Sequence, residues 1–175
     1  MELGRFITEN GTPLSRETGQ HVFRQGDQNA SLYFVKTGLL KAYYLSADGK
    51  EDIKSFILPG DHIGSLMANH AGKSCSFSLV CLKQCELMAL PFRTLYQSVR
   101  TDPDISAAIV DLLLSFAMKK EVREYELLCL SAEDRYRRLL ETTPEILKLV
   151  TQNEIARYLG VTPVGLSRIK KRVMA

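Results

Sequence analysis

From about residue 21 to residue 90 the apolar positions come in short runs broken by turn residues. The runs 32–36, 39–45, 52–58, 62–66, 76–82 and 86–90 are rich in Val, Ile, Leu, Phe and Tyr, the composition of strands. Gly26, Gly38, Gly49 and Gly60 recur every eleven or twelve residues, in turn sequences such as Ala47-Asp48-Gly49-Lys50 and Pro59-Gly60-Asp61. Turns at that interval predict an all-β sandwich or barrel. The first twenty residues carry no comparable pattern.

At Asp102-Pro103-Asp104 the apolar period changes from two to about 3.6. Asp102 suits a helix cap, Pro103 its first turn, and the early acids its dipole. Ile105, Ile109, Leu112 and Phe116 form one apolar face, with Ala108 and Leu113 beside it. A helix running to Leu130 is long enough to join two domains. Its apolar face suits two roles, pairing with a second copy of the chain or covering the sheets, and it is assigned here to dimer formation. Ser131-Ala132-Glu133-Asp134 reads as a fresh helix start, which places a hinge at Leu130/Ser131. Helices over 132–141 and 144–150 follow, the second capped by Thr143 with Pro144 at its first position.

The most specific pattern spans Gln152 to Arg172. Thr151-Gln152-Asn153-Glu154 is a capping box: the hydroxyl and the carboxylate each satisfy an orphaned backbone N–H. Ile155 and Leu159 share a face, and Ala156 lets a second helix cross closely. Gly160 suits the left-handed turn that ends this helix, and Val161 plugs the corner. Thr162 and Pro163 open the next helix, whose Leu166 and Ile169 return an apolar face to the first. Two helices joined by a tight turn result. The outward positions Val164, Gly165, Ser167, Arg168, Lys171 and Arg172, with Gln152 and Thr162 at the two helix starts, match a helix entering a DNA major groove.

Charge supports this placement. The whole chain of 175 residues carries only +3, but its last 25 residues hold five cations against one acid. A polyanion partner is expected at that end. With 45% hydrophobic residues the chain is long enough for a real core. No signal peptide or membrane span is indicated, since 105–118 is interrupted by Asp111 and too short. The expected location is the cytoplasm, where Cys75, Cys81, Cys85 and Cys129 would be thiols.

Four segments resemble the Crp/Fnr family of bacterial transcription regulators, and the likeness runs over nearly the whole chain. They are Phe23-Arg24-Gln25-Gly26-Asp27, Leu32-Tyr33-Phe34-Val35-Lys36-Thr37-Gly38, Pro59-Gly60-Asp61-His62-Ile63-Gly64 and Ile155-Ala156-Arg157-Tyr158-Leu159-Gly160-Val161-Thr162. The resemblance implies an α+β chain in three parts. Residues 1–101 form a cyclic-nucleotide-binding-like antiparallel β-roll, 102–130 a long dimer helix, and 131–175 an all-α helix-turn-helix domain. It further implies double-stranded DNA, a second copy of the chain and RNA polymerase as partners, with a small-molecule effector. Most relatives add a β-hairpin wing after the recognition helix; with Ala175 three residues beyond Arg172, the wing is expected to be lacking.

In cAMP-binding members the segment after Gly60-Asp61 supplies a glutamate for the ribose and an arginine for the cyclic phosphate. Aligned without gaps, those places hold Ser65 and Cys75. A thiol brings no positive charge to a buried phosphate, and the lost pairing costs about 1.5–3 kcal/mol. Lys120 and Glu121 stand where the purine would be met, again unlike the cAMP pattern. An effector other than cAMP is therefore expected near Gly64, Ser65, Lys73, Cys75 and Ser76, Lys73 being the cation able to replace the arginine. In the recognition helix the guanine-reading arginine corresponds to Arg168, while Pro163 and Val164 stand for an arginine and a glutamate. Val164 suits a thymine methyl.

Other chemistry is thinly supported. The cysteine spacing does not match iron–sulfur patterns, and Cys81 and Cys85 suit a core. His21, His62 and His70 contain no His-x-His pair, so no metal is expected. No nucleophile elbow or phosphate loop occurs, and no enzyme is expected. The competing reading is a ligand-binding or protein-interaction module whose C-terminal helices do not bind DNA.

Overall fold

The computed structural model describes residues 2–174; the reading of the chain end at Ala175 lies outside them. In chain order the elements are α1 (Glu2–Asn10), β1 (Thr12–Arg16), β2 (His21–Phe23), β3 (Ser31–Thr37), β4 (Leu40–Leu45), β5 (Glu51–Ile57), β6 (His62–Ile63), α2 (Leu66–Asn69), β7 (Ser78–Cys81), β8 (Cys85–Pro91), α3 (Phe92–Val99), α4 (Pro103–Cys129), α5 (Ala132–Thr142), α6 (Ile146–Leu149), α7 (Gln152–Leu159) and α8 (Pro163–Val173). Two four-stranded sheets, ordered β1-β8-β3-β6 and β2-β7-β4-β5, pair antiparallel throughout.

The unbroken apolar run in β3 has a direct cause: both faces of its sheet are covered. Tyr33 and Val35 point between the sheets with Phe23, Leu40, Leu79 and Leu87, whereas Leu32 and Phe34 face the helices. Met88 and Leu90 of β8 join that outer layer with Ile7 of α1, Leu95 of α3 and Ile105 of α4. The outer face of the other sheet, Tyr43, Ile53 and Val80, is covered by Phe56 and by Tyr158 of α7. Gly38 must be glycine: its φ is +100°, and a Cβ there would lie 2.4 Å from the Gln84 carbonyl oxygen.

This packing corrects three sequence expectations. Ile105 is buried, and Ile109 and Leu112 pack against the same cluster, so the assigned dimer face covers the roll within one chain. Phe116, on that face, is half-buried. The large apolar positions of α4 left to solvent are instead Val110, Leu113, Leu114, Met118, Val122, Tyr125, Leu127 and Leu128. The segment 62–66 is a two-residue strand running into α2, because Ser65 turns inward and is buried. Thr143 does not cap a helix; it ends α5, and α6 begins two residues later than expected at Ile146.

The remaining helix starts follow the local chemistry. Asp102 accepts hydrogen bonds from the backbone N–H groups of Asp104 (3.0 Å) and Ile105 (3.2 Å), and Ser131 accepts from Asp134 (3.1 Å). At the hinge between α4 and α5, Leu130 is extended (φ −95°, ψ 145°). Arg135 fastens this corner. Its guanidinium donates to the Leu130 carbonyl at 2.8 Å, to the Glu126 and Leu127 carbonyls at 3.4 and 3.5 Å, and to the Leu159 carbonyl at the end of α7 at 2.9 Å.

Two outcomes follow from these contacts. Arg135→Met should lower stability by about 2–4 kcal/mol, since several charge-assisted hydrogen bonds are lost at once. Hydrogen exchange should accelerate in α5–α8 while the strands of the roll stay protected; uniform acceleration would contradict the assignment. The second concerns His62, whose Nε2 is sealed from solvent without a hydrogen-bond partner among the described residues. Burial foremost, and Lys119, hold its imidazole below the ordinary 6.5 despite Asp61. As pH falls through about 6.5, the unfolded chain therefore takes up this proton first. The stability contribution is full above that pH and is lost as acidification approaches the depressed native value. His62→Gln should flatten the stability profile between pH 7 and 5, measured by denaturant titration.

Candidate nucleic-acid interface

The α7–α8 corner is built by local signals that agree with one another. Both halves of the capping box are present at α7: the Thr151 hydroxyl accepts from the Glu154 N–H (3.3 Å), and the Glu154 carboxylate accepts from the Thr151 N–H (2.9 Å). Gly160 is left-handed (φ 69°, ψ 32°) and ends the helix. Thr162 accepts from the Gly165 N–H at 3.1 Å and Pro163 takes the first turn of α8. Ile155, Ala156, Leu159, Leu166 and Ile169 are buried together with Tyr136 and Leu139 of α5, so the two helices are fixed on a small core of their own.

That core leaves a defined outer face. Val164 is 64% exposed, and Ser167, Arg168 and Lys171 are exposed beside it. Arg168 and Lys171 have no ion-pair partner among the described residues, so both heads are available to an anion. Other sequence-assigned residues are already engaged. Gly165 is half-buried under the Thr162 cap, where a Cβ would stand 3.2 Å from the Thr162 hydroxyl oxygen. Arg172 pairs with Glu133 of α5 at 2.9 Å, and Glu133 also holds Arg137 at 2.8 Å. These two hydrogen bonds keep the Glu133 carboxyl below its ordinary pKa. Gln152, at the start of α7, accepts from Lys170 of α8 at 3.0 Å and so holds a third cation beside the open face. Gln152, Pro163, Ser167, Lys170, Lys171 and Met174 line a groove of about 510 Å³ on this side. Its cationic rim suits a phosphate backbone, and the convex side of α8 suits base edges.

The five residues assigned to an effector flank α2 and do not form one open site. Ser65 and Cys75 are 1% and 2% exposed. The Ser65 hydroxyl accepts from the Ser76 N–H at 3.3 Å, and the Cys75 thiol points at the Asn29 carbonyl. Burial pushes the Cys75 thiol pKa up, so it stays neutral and offers nothing to a phosphate. Gly64 is a packing residue, since a Cβ would approach the Ser31 carbonyl oxygen to 2.9 Å. Lys73 and Ser76 are exposed. Phe77 is buried beside Cys75 and meets Phe23 edge-on at 5.3 Å, filling the middle of the roll with ring.

Several residues that place the helix-turn-helix were not legible in the sequence. Lys41 of β4, almost fully buried, reaches Glu51 of β5 at 3.1 Å and Glu154 of α7 at 3.8 Å. Arg157 of α7 meets the same Glu51 at 2.6 Å. Arg123 of α4 sits over the Tyr158 ring, its Cζ 3.9 Å from the centroid, and donates to the Tyr158 carbonyl, while Tyr158 packs on Phe56 at 5.4 Å. These contacts join positions up to 106 residues apart, so no spacing within either segment announces them. Cys81 and Cys85 are buried, and burial carries the Cys81 thiol up to about 12. Among the described residues no cluster of three His, Cys, Asp or Glu side chains could hold a metal ion.

Comparison with known proteins agrees with this arrangement. The cyclic nucleotide-binding domain profile matches residues 13–102. The fumarate and nitrate reduction regulatory protein of Yersinia pestis is 26% identical over 178 residues, covering 95% of this chain and 69% of that protein. The transcriptional activator protein Anr of Pseudomonas protegens is 26% identical over 182 residues, with 95% and 71% covered. Among solved structures, FixK2 from Bradyrhizobium japonicum superposes with a TM-score of 0.81 at 19% identity, covering 94% of this chain and 84% of its own. The catabolite activator protein of Thermus thermophilus gives 0.61 at 22% identity, over 99% and 83%. With the roll, the capped helix-turn-helix and these relatives in agreement, the chain belongs to the cyclic nucleotide-binding domain family and, within it, to the Crp/Fnr regulators.

Proposed function

We propose that this protein is a sequence-specific DNA-binding transcription regulator that works as a homodimer, is controlled by a small molecule other than cAMP, and carries out no catalysis of its own. The observation that carries the reading is the open face of α8: Val164, Ser167, Arg168 and Lys171 project from a rigid corner whose apolar side is sealed. Arg168 offers a planar fork to the O6 and N7 of guanine, Val164 a methyl contact for thymine, and Lys170 and Lys171 meet phosphates. No helix among the described residues is long and apolar enough to cross a membrane, and the proposed place of action is the cytoplasm, where bacterial DNA is reached directly. The division into 1–101, 102–130 and 131–175 is the working description of sensor, connector and reader, with RNA polymerase as the partner through which bound regulator acts.

The dimer is assigned to the outer stripe of α4. Val110, Leu114 and Leu128 fall on one side of the helix with Ala117 between them, and each of the three is at least half exposed. Val110, Leu114 and Ala117 form an apolar stripe suited to pairing with its own copy, which Glu121 interrupts before Leu128. The effector reading rests on the family and on buried Ser65 and Cys75, neither of which brings a charge to a cyclic phosphate, while Lys73 stands exposed at the surface.

Selection of bound sites from random DNA, followed by titration of Arg168→Ala, tests the reading. The variant should lose about 1–3 kcal/mol on the selected operator and discriminate less at one guanine position. Affinity of the unaltered chain should fall steeply with salt. Equal binding by variant and parent would remove Arg168 from the interface, and salt-independent capture of a protein in place of DNA would favour an interaction module. Leu114→Glu should shift the protein toward monomer in sedimentation while the roll keeps its thermal transition. An unchanged dimer would place the interface elsewhere.

A further inference from the structure

Of the cations on the second half of α8, one is not free to meet DNA. Arg168 and Lys171 stand exposed with no ion pair among the described residues, and Lys170 is held by Gln152, a neutral amide that leaves its charge intact. Arg172 alone faces an anion: its Nε donates to Glu133 Oε2 at 2.9 Å. Four residues beyond Arg168, it lies one turn further along the same side of α8, where a phosphate backbone would be met.

Glu133 is well set to hold that position. It comes from the first turn of α5, and its other oxygen accepts from Arg137 at 2.8 Å, one turn along its own helix. Each carboxylate oxygen thus has its own guanidinium, and the bond to Arg137 steadies the group that reaches α8. Both bonds favour the charged form, so Glu133 is an anion throughout the neutral range. The trio nevertheless lies at the surface, with the Arg172 and Arg137 side chains 61% and 48% exposed. Exposed pairs add little to stability, and Tyr136, Leu139, Leu166 and Ile169 already fix α5 against α8, so fastening the two helices is a weak reason for the contact.

We propose that Glu133 is an internal competitor of DNA phosphate: by occupying Arg172 it holds down sequence-independent affinity and leaves Arg168 to decide where the protein stays. Sequence-independent binding comes from cations that neutralise phosphates in any register and so release counterions from the duplex. A guanidinium already in contact with a carboxylate of its own chain releases none. Arg168 has no such competitor, so the reading of base edges is spared. The inference rests on α8 being the DNA-binding helix and names a residue outside that helix that tunes it.

Titration of the full chain with a random-sequence duplex at several salt concentrations tests the proposal. Glu133→Gln should tighten binding about three- to tenfold near about 0.1 M salt and steepen the plot of log affinity against log salt by about 0.9, the increment of one added phosphate contact. In an Arg172→Gln background the same substitution should change affinity less than about twofold, a dependence that a merely structural Glu133 would not produce. Glu141→Gln, at an exposed position of the same helix, should leave binding within about twofold. Circular dichroism melts establish that each variant folds. With the parent chain binding the duplex, unchanged affinity in Glu133→Gln, or a gain that survives in the Arg172→Gln background, would overturn the proposal alone. Absence of salt-dependent duplex binding by the parent would overturn the reading of α8, and the competitor with it.

Discussion

Carbonyl groups at the ends of helices have no partner within the helix and must find donors elsewhere. Arg135 solves this for two helices with one side chain, donating to the last turn of α4 and to the end of α7. The direction in which α8 presents its outer face depends on this junction. Without it the extended residue Leu130 would be an ordinary swivel, and a fork that is cationic as well as bidentate suits the negative ends of two helix dipoles. The hinge is thus a packed and hydrogen-bonded object that can hold a definite angle.

Around that junction the roll contributes charge and the reader contributes helices. Lys41 and Glu51 come from the hairpin of β4 and β5, while Glu154 and Arg157 come from α7. Glu154 serves twice, capping its own helix and approaching a buried lysine of the roll. A group shared in this way couples the start of the helix-turn-helix to the position of the hairpin. Arg123 adds a third contact through the Tyr158 ring. Posture and reader are therefore faces of one interface, held by charges from both sides.

The roll itself is filled by ring and aliphatic side chains, Phe23, Phe77 and Leu79 among them. Cys75 is a small apolar filler there.

Much of the reader was legible in the sequence because its determinants are local. A capping box, a left-handed glycine, a second cap with proline and two inward apolar pairs act within a few residues of one another, so Thr151, Gly160, Thr162, Leu166 and Ile169 stand where their spacing demands. The β character of residues 21–90 was equally readable from turn spacing, whereas α1, β1 and α3 were missed, since their stability comes from packing on the outer sheet and not from local signals. Which face of α4 meets the roll was undecidable from periodicity: a helix with apolar residues on two sides offers two stripes, and only tertiary contact shows that Ile105, Ile109 and Leu112 turn inward while Val110 and Leu114 stay outside. The pairing of Arg157 with Glu51 and the reach of Arg135 to Leu159 likewise belong to the folded chain alone, because a charged side chain carries no mark in sequence of the distant partner that packing will bring to it.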